Sequence, residues 1–213
     1  MLQITKQVLG PVATNTYIVG DSETNQAVVI DPAWDGDTLG ADIKKAGWQV
    51  QAVWLTHAHF DHFGGLGDLL STLELSSQDG FYVGMHPKEM PLWKVKGGAI
   101  MFGVQMKSAP KPDHKFSEGD VLSCGQYQFE VHHAPGHSPG HVLFHCPQEK
   151  VLFSGDVIFN QGIGRTDLLG GSYKTLLESI QQWVLPLPAE TRIYSGHGPE
   201  TTVGFEKENN PFL

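Results

Sequence analysis

Four side chains able to bind a metal fall within six positions of LTHAHFDHFGG (residues 55–65): His57, His59, Asp61 and His62. Imidazole and carboxylate are good ligands for zinc, iron or manganese. Left unpaired, such groups are costly to bury. A single ion would not take all four from one tight turn. The spacing suits two ions, one using His57 and His59, the other Asp61 and His62. Each then needs further donors, and three stand in turns elsewhere. His137 lies in APGHSPGH (134–141), where a Gly-Pro-rich turn can aim it inward. Asp156 follows a Ser-Gly kink in FSGDVIF (153–159) and could bridge two cations. His197 sits between two glycines in SGHGPET (195–201). The carboxylates Asp61 and Asp156 are the candidate catalytic groups. A fifth stretch, GIGRTD (162–167), offers Arg165, which is expected at the pocket mouth as a grip for a substrate carboxylate. A structural ion pair with Asp167 is its other reading. The other histidines, His86, His114, His132, His133, His141 and His145, are expected to be structural or exposed. Of these, His133 and His141 are candidates to support the ligands.

Elements of regular structure must bring these stretches together. Strand-like runs cover 2–9, 15–20, 26–31, 50–56, 121–123, 126–132, 141–146, 150–154 and 191–195. VQAVWLT (50–56) is nearly continuous and apolar, as in a strand buried on both faces. Helical periodicity marks 38–46, 64–74, 87–95 and 172–184. In the last, Leu176, Leu177, Ile180, Trp183 and Val184 share a face and Ser172 caps the start. Four of the five chemical stretches follow directly on strands, where loops converge. Residues 97–120 read as one long loop, either a substrate lid or a surface excursion. Interleaved strands and helices point to mixed sheets covered by helices.

The chain has 213 residues and a formal charge of −9, with only 14 Lys and Arg in no run. That weighs against nucleic acid and against anionic membranes as partners. No stretch of 18 apolar residues suggests a membrane span. The first 20 residues lack the layout of a signal peptide, so a cytoplasmic location is expected. Cys124 and Cys146 are too few for a disulfide framework.

THAHFDH, APGHSPGH, SGDVIF, GIGRTD and SGHG, in this order over nearly the whole chain, resemble the metallo-β-lactamase fold, and within it the glyoxalase II branch. The resemblance implies an α/β fold, an αββα four-layer sandwich with a dinuclear site at the sheet edge. It also implies that His57, His59 and His137 hold the first metal, that Asp61, His62 and His197 hold the second, and that Asp156 bridges them. A single domain over 1–213 is expected. The family's enzymes for S-D-lactoylglutathione usually add a C-terminal helical domain and carry tyrosines near the positions of Asp167 and Pro199; neither tyrosine is present here. The chain looks most like short, single-domain bacterial glyoxalase-II-like proteins.

Two divalent cations, zinc before iron or manganese, would lower the pKa of bound water to roughly 7, giving a hydroxide able to attack a carbonyl. No G-x-S-x-G elbow competes. The absence of an obvious general acid favours a leaving group such as a thiolate, with a reference pKa near 8.5. The expected reaction is therefore hydrolysis of a small-molecule thioester. Alternatives are a persulfide dioxygenase using one iron on His57, His137 and Asp156, a lactone hydrolase, and a non-catalytic metal-binding module. Other branches of the fold fit less well. Secreted β-lactamases usually carry a Cys ligand, flavodiiron proteins place Glu where His59 stands, and RNA-processing members carry a basic arm.

Overall fold

A computed structural model describes residues 1–76 and 80–213. Two six-stranded sheets lie face to face. The first orders β1 (Leu2–Leu9), β2 (Thr14–Asp21), β3 (Gln26–Ile30), β4 (Gln49–Trp54), β5 (Tyr82–Met85) and β6 (His114–Lys115) side by side. It runs antiparallel through β3 and parallel from β3 to β6. The second is built from β7 (Val121–Cys124), β8 (Tyr127–His133), β9 (Val142–Cys146), β10 (Val151–Gly155), β13 (Arg192–Ser195) and β14 (Thr201–Thr202), β7 and β14 being its edges. A two-stranded ribbon, β11 (Ile158–Phe159) and β12 (Gly162–Ile163), stands beside it.

Side chains alternate along each strand, so each sheet has two faces to bury. One face of each sheet closes a shared core in which Trp54 of β4 meets Phe129 of β8 edge-on at 5.3 Å. The Trp54 indole, wholly buried, donates to the Tyr82 hydroxyl at 3.0 Å, so its polar atom is satisfied. The outer face of the first sheet is covered by α1 (Gly36–Ala46) and α3 (Leu66–Leu73), through Leu39, Ile43, Leu66 and Leu69. The outer face of the second is covered by α5 (Tyr173–Trp183), through Leu176 and Ile180. The result is the four-layer αββα sandwich expected from the motifs. Three short helices complete the chain: α2 (Phe60–Phe63), α4 (Met90–Lys94) and α6 (Val203–Asn209).

The Ser172 hydroxyl accepts from the Thr175 amide at 3.3 Å, the N-cap read from the sequence. Other expectations need correction. The periodic stretch 64–74 is α3 alone, and α2 precedes it across Gly64 and Gly65. Both glycines abut the Trp34 segment, too closely for a Cβ to enter. The stretch 87–95 is a 3-10 turn, Pro87–Glu89, followed by α4, because Pro91 inside it has no N–H to continue one helix. Residues 97–120 are not one open loop. Lys96–Phe102 forms 3-10 turns and His114–Lys115 adds β6 to the edge of the first sheet.

Candidate metal centre

All seven candidate ligands meet at one end of the sandwich, where loops from both sheets converge. β4 delivers His57, His59, Asp61 and His62, the last two from α2. The second sheet delivers the others: His137 from the β8–β9 connection, Asp156 directly after β10 and His197 after β13. His57, His59 and His137 offer ligand atoms within 4.8 Å of one another, as do Asp61, His62 and His197. Asp156 lies between the two sets. Its Oδ1 is 3.4 Å from His62 Nε2, and its Oδ2 is 3.5 Å from both His137 Nε2 and His197 Nε2.

Neighbouring groups dictate which nitrogen of each ring faces inward. His137 Nδ1 donates to the Arg165 carbonyl at 2.7 Å, leaving Nε2 as the inward lone pair. His62 Nδ1 donates to Asp31 Oδ2 at 2.9 Å. The Thr56 hydroxyl donates to the same carboxylate at 2.6 Å and can therefore accept from His57 Nδ1 at 3.0 Å. The Nε2 lone pairs of His57 and His137 consequently face each other at 3.2 Å. Neither can take a proton without making a buried imidazolium. Burial pushes His57 well below the usual histidine range, His59 down to about 3, and His137 lower as well. Buried lone pairs that converge and resist protonation call for a cation. His59 turns Nδ1 towards His137 Nε2 at 2.8 Å, and His62 Nε2 and Asp156 Oδ1 are buried without a hydrogen-bond partner, which adds to the same case.

The other half of the centre is more polar. Burial opposes charge on Asp61 and Asp156, yet His62 and His197 more than offset it. Asp61 is held at about 2, and Asp156 well below the usual carboxylate range. Burial likewise opposes charge on His197, but Asp156 and Asp61 raise it to about 9. A proton on this ring occupies the electrostatic role that a divalent ion would take. The donor set thus fits two cations, with three neutral imidazoles on one side and a carboxylate-rich set on the other.

Several supporting residues carried no sequence signal of their own. Asp31, at the end of β3, accepts from the Thr56 amide at 2.8 Å besides its bonds to Thr56 Oγ1 and His62. It has φ +50°, a conformation that Asp tolerates better than most residues. Its place after a strand was the available clue. Glu89 is wholly buried and staples two ligand loops together, accepting from the Ala58 amide at 2.7 Å and the Gly140 amide at 2.6 Å. Burial raises its pKa. His141 accepts from the Asp156 amide at 3.0 Å and stacks on His57, so it supports the ligands as anticipated. His133 instead stacks on His86 and donates from Nε2 to the Pro139 carbonyl at 3.0 Å, away from the ligands. Thr14 Oγ1 donates to Asp61 at 2.9 Å. Gly196 is required by close approach, since a Cβ there would strike Asp156 Oδ1 and His62.

Five of the donors, His59, Asp61, His137, Asp156 and His197, line a cavity of about 180 Å³ whose other walls include Val12, Phe60, Phe102, Leu168 and Arg165. Arg165 does reach this mouth, and its guanidinium also forms a two-bond pair with Asp167 at 2.7 and 2.8 Å. The ion pair with Asp167 is therefore present, and it stands at the rim of the cavity. A wider hollow over residues 94–106 carries no His, Asp or Glu.

The profile of the metallo-beta-lactamase superfamily matches residues 9–197, and this chain belongs to that superfamily. The chain is 37% identical to the probable metallo-hydrolase YqgX of Bacillus subtilis, over 96% of this chain and 94% of that protein. It is 38% identical to the hydroxyacylglutathione hydrolase GloC of Haemophilus influenzae, over 93% and 92%. It is 30% identical to human mitochondrial persulfide dioxygenase ETHE1, covering 98% of this chain and 75% of that one. Among solved structures, the BLEG-1 B3 metallo-beta-lactamase superposes with TM-score 0.90 at 40% identity, over 99% of both chains. TTHA1623 in a di-iron-bound form superposes with TM-score 0.87 at 40% identity, over 98% and 100%. Among the described residues, no helix is long and apolar enough to cross a membrane.

Proposed function

We propose that this protein is a dinuclear metal-dependent hydrolase acting on small-molecule thioesters. One observation carries the reading: two three-residue donor sets share the space around Asp156, at the floor of a small, half-apolar cavity. His57, His59 and His137 would hold one cation, Asp61, His62 and His197 the other, and Asp156 would serve both. When bound, divalent cations lower the pKa of water towards neutrality and polarise a carbonyl.

The protein's own residues supply orientation and exclusion. Asp31, Thr56 and the Arg165 carbonyl fix the tautomers of His62, His57 and His137. Such support sharpens both affinity and geometry. Val12, Phe60, Phe102 and Leu168 give the cavity an apolar wall on which an acyl group can pack. Arg165 at the rim can grip a carboxylate on the departing thiol if Asp167 yields it. No titratable group beyond the candidate ligands and Arg165 lines the cavity. That supports a leaving group that departs without a proton, as a thiolate does. The 38% identity to a hydroxyacylglutathione hydrolase supports the same substrate class.

The test is elemental analysis together with a panel of thioesters, lactones and a β-lactam. Two metals per chain with a kcat/KM for thioesters well above the others is the expected result. Turnover of the β-lactam or lactones alone would overturn the thioester reading. A second reading rests on His57, His137 and Asp156, whose atoms approach to 3.2 and 3.5 Å and would suit a single iron. Identity to a persulfide dioxygenase favours it too. One iron per chain with oxygen uptake on a persulfide would establish that reading instead.

A further inference from the structure

A second cluster of ligating side chains lies on the outer face of the second sheet, under the end of α5. Glu130 and His132 are two apart on β8 and so share a face, and the register places His145 of β9 directly opposite Glu130. One ligand atom from each of the three lies within 4.8 Å of the others. Glu130 Oε2 sits between the two rings, 3.5 Å from His132 Nε2 and 3.6 Å from His145 Nδ1.

These separations are long for N–H···O hydrogen bonds, which favour 2.7–3.2 Å. They match the edge of a tetrahedral coordination shell, since bonds of 2.0–2.1 Å at tetrahedral angles put neighbouring ligands roughly 3.4 Å apart. A further feature points the same way. Glu118 is fixed by the His133 amide at 2.6 Å and takes the Nδ1 hydrogen of His132 at 3.2 Å. That arrangement directs the Nε2 lone pair of a neutral His132 at Glu130 and reproduces the carboxylate–histidine–metal pattern. The ring itself is held by Trp183, stacked on it at 4.4 Å and 17°. His145 is buried, and its burial favours the neutral, ligating form.

We propose that Glu130, His132 and His145 form a separate site for a first-row transition metal such as zinc or copper, with water completing the shell. The rival is an imidazolium at His132 bridging Glu118 and Glu130 with no metal.

Protein carrying its resident metals is dialysed against micromolar Zn²⁺ and analysed for zinc and other metals. The total in the native protein should exceed that in His145→Gln and in Glu130→Gln by one ion per chain, with hydrolytic activity unchanged in both. Equal totals in all three would overturn the proposal. A second readout leaves the three proposed ligands unchanged. Cu²⁺ added to the native protein should quench the fraction of tryptophan emission that Trp183→Phe removes. Equal fractional quenching in native protein and Trp183→Phe would leave the imidazolium bridge as the correct reading.

Discussion

The centre at the sheet ends and the cluster on β8 and β9 use the same residue types to different effect. At the centre, Asp31, a threonine and a backbone carbonyl consume the outward nitrogens, and burial keeps three rings neutral. On the outer face, one half-exposed carboxylate is shared by two rings, and only His132 has a dedicated orienting partner. The contrast teaches that a list of His and Asp does not define a reactive centre. Orientation from behind, and a cavity in front, separate a site that can do chemistry from one that can only bind.

That contrast can be broken most forcefully at Asp156. Asp156→Ala should lose both central cations and about 10³-fold in kcat/KM, on the order of 4 kcal/mol of transition-state stabilisation. Steady-state kinetics with elemental analysis checks this, and near-normal turnover would remove Asp156 from the shared position. His197→Ala should act on one set only, taking the stoichiometry from two towards one while His57, His59 and His137 keep their ion. Loss of both ions at once would mean that the two sets are not separable. Asp31→Asn tests the carboxylate behind His62 and Thr56 with the backbone kept, because Asn tolerates the φ of +50°. Metal affinity should fall about 10- to 100-fold in chelator competition. An unchanged affinity would show that the tautomer of His62 does not depend on this carboxylate.

Arg165→Ala should have the smallest effect of the series. Its KM for a thioester with a carboxylated thiol should rise about tenfold with kcat similar, from a charge-assisted contact of roughly 1.5 kcal/mol. A thioester without that carboxylate should respond less. Thermal stability should barely change, because Arg165 and Asp167 are both more than half exposed and such pairs contribute about 0–1 kcal/mol. Lower stability with unaltered KM would make the Asp167 pair the whole role of Arg165.

How far the sequence reveals this arrangement depends on distance along the chain. His57, His59, Asp61 and His62 declare themselves because their chemistry is concentrated in one turn. His137, Asp156 and His197 stand out because each follows a strand amid glycines. Asp31 and Glu89 do not, since their importance comes from partners 25 to 51 positions away. A lone acid in such a place reads as a solvated surface residue. Glu130, His132 and His145 were passed over for a related reason: alternate positions on one strand and a partner on the next carry no local density. Mixed sheets covered by helices were legible from apolar strands and amphipathic helices, and the four-layer sandwich from the family resemblance of the motifs, whereas β5, β6 and α6 were not legible. They are short, and neighbours rather than their own periodicity stabilise them.

The seam between the sheets has a consequence for synthesis. Asn15 Nδ2 donates to the Ser195 carbonyl at 2.8 Å, across 180 positions of the chain. Tyr17 donates to that same carbonyl at 2.6 Å. A ribosome adding about 5–20 residues per second takes roughly 10–35 s to supply the partner that β2 awaits. In the later part of that interval the imidazoles after β4 have been synthesised while His197 has not. The donors near residue 60 therefore exist as a partial set before His197 completes the seven.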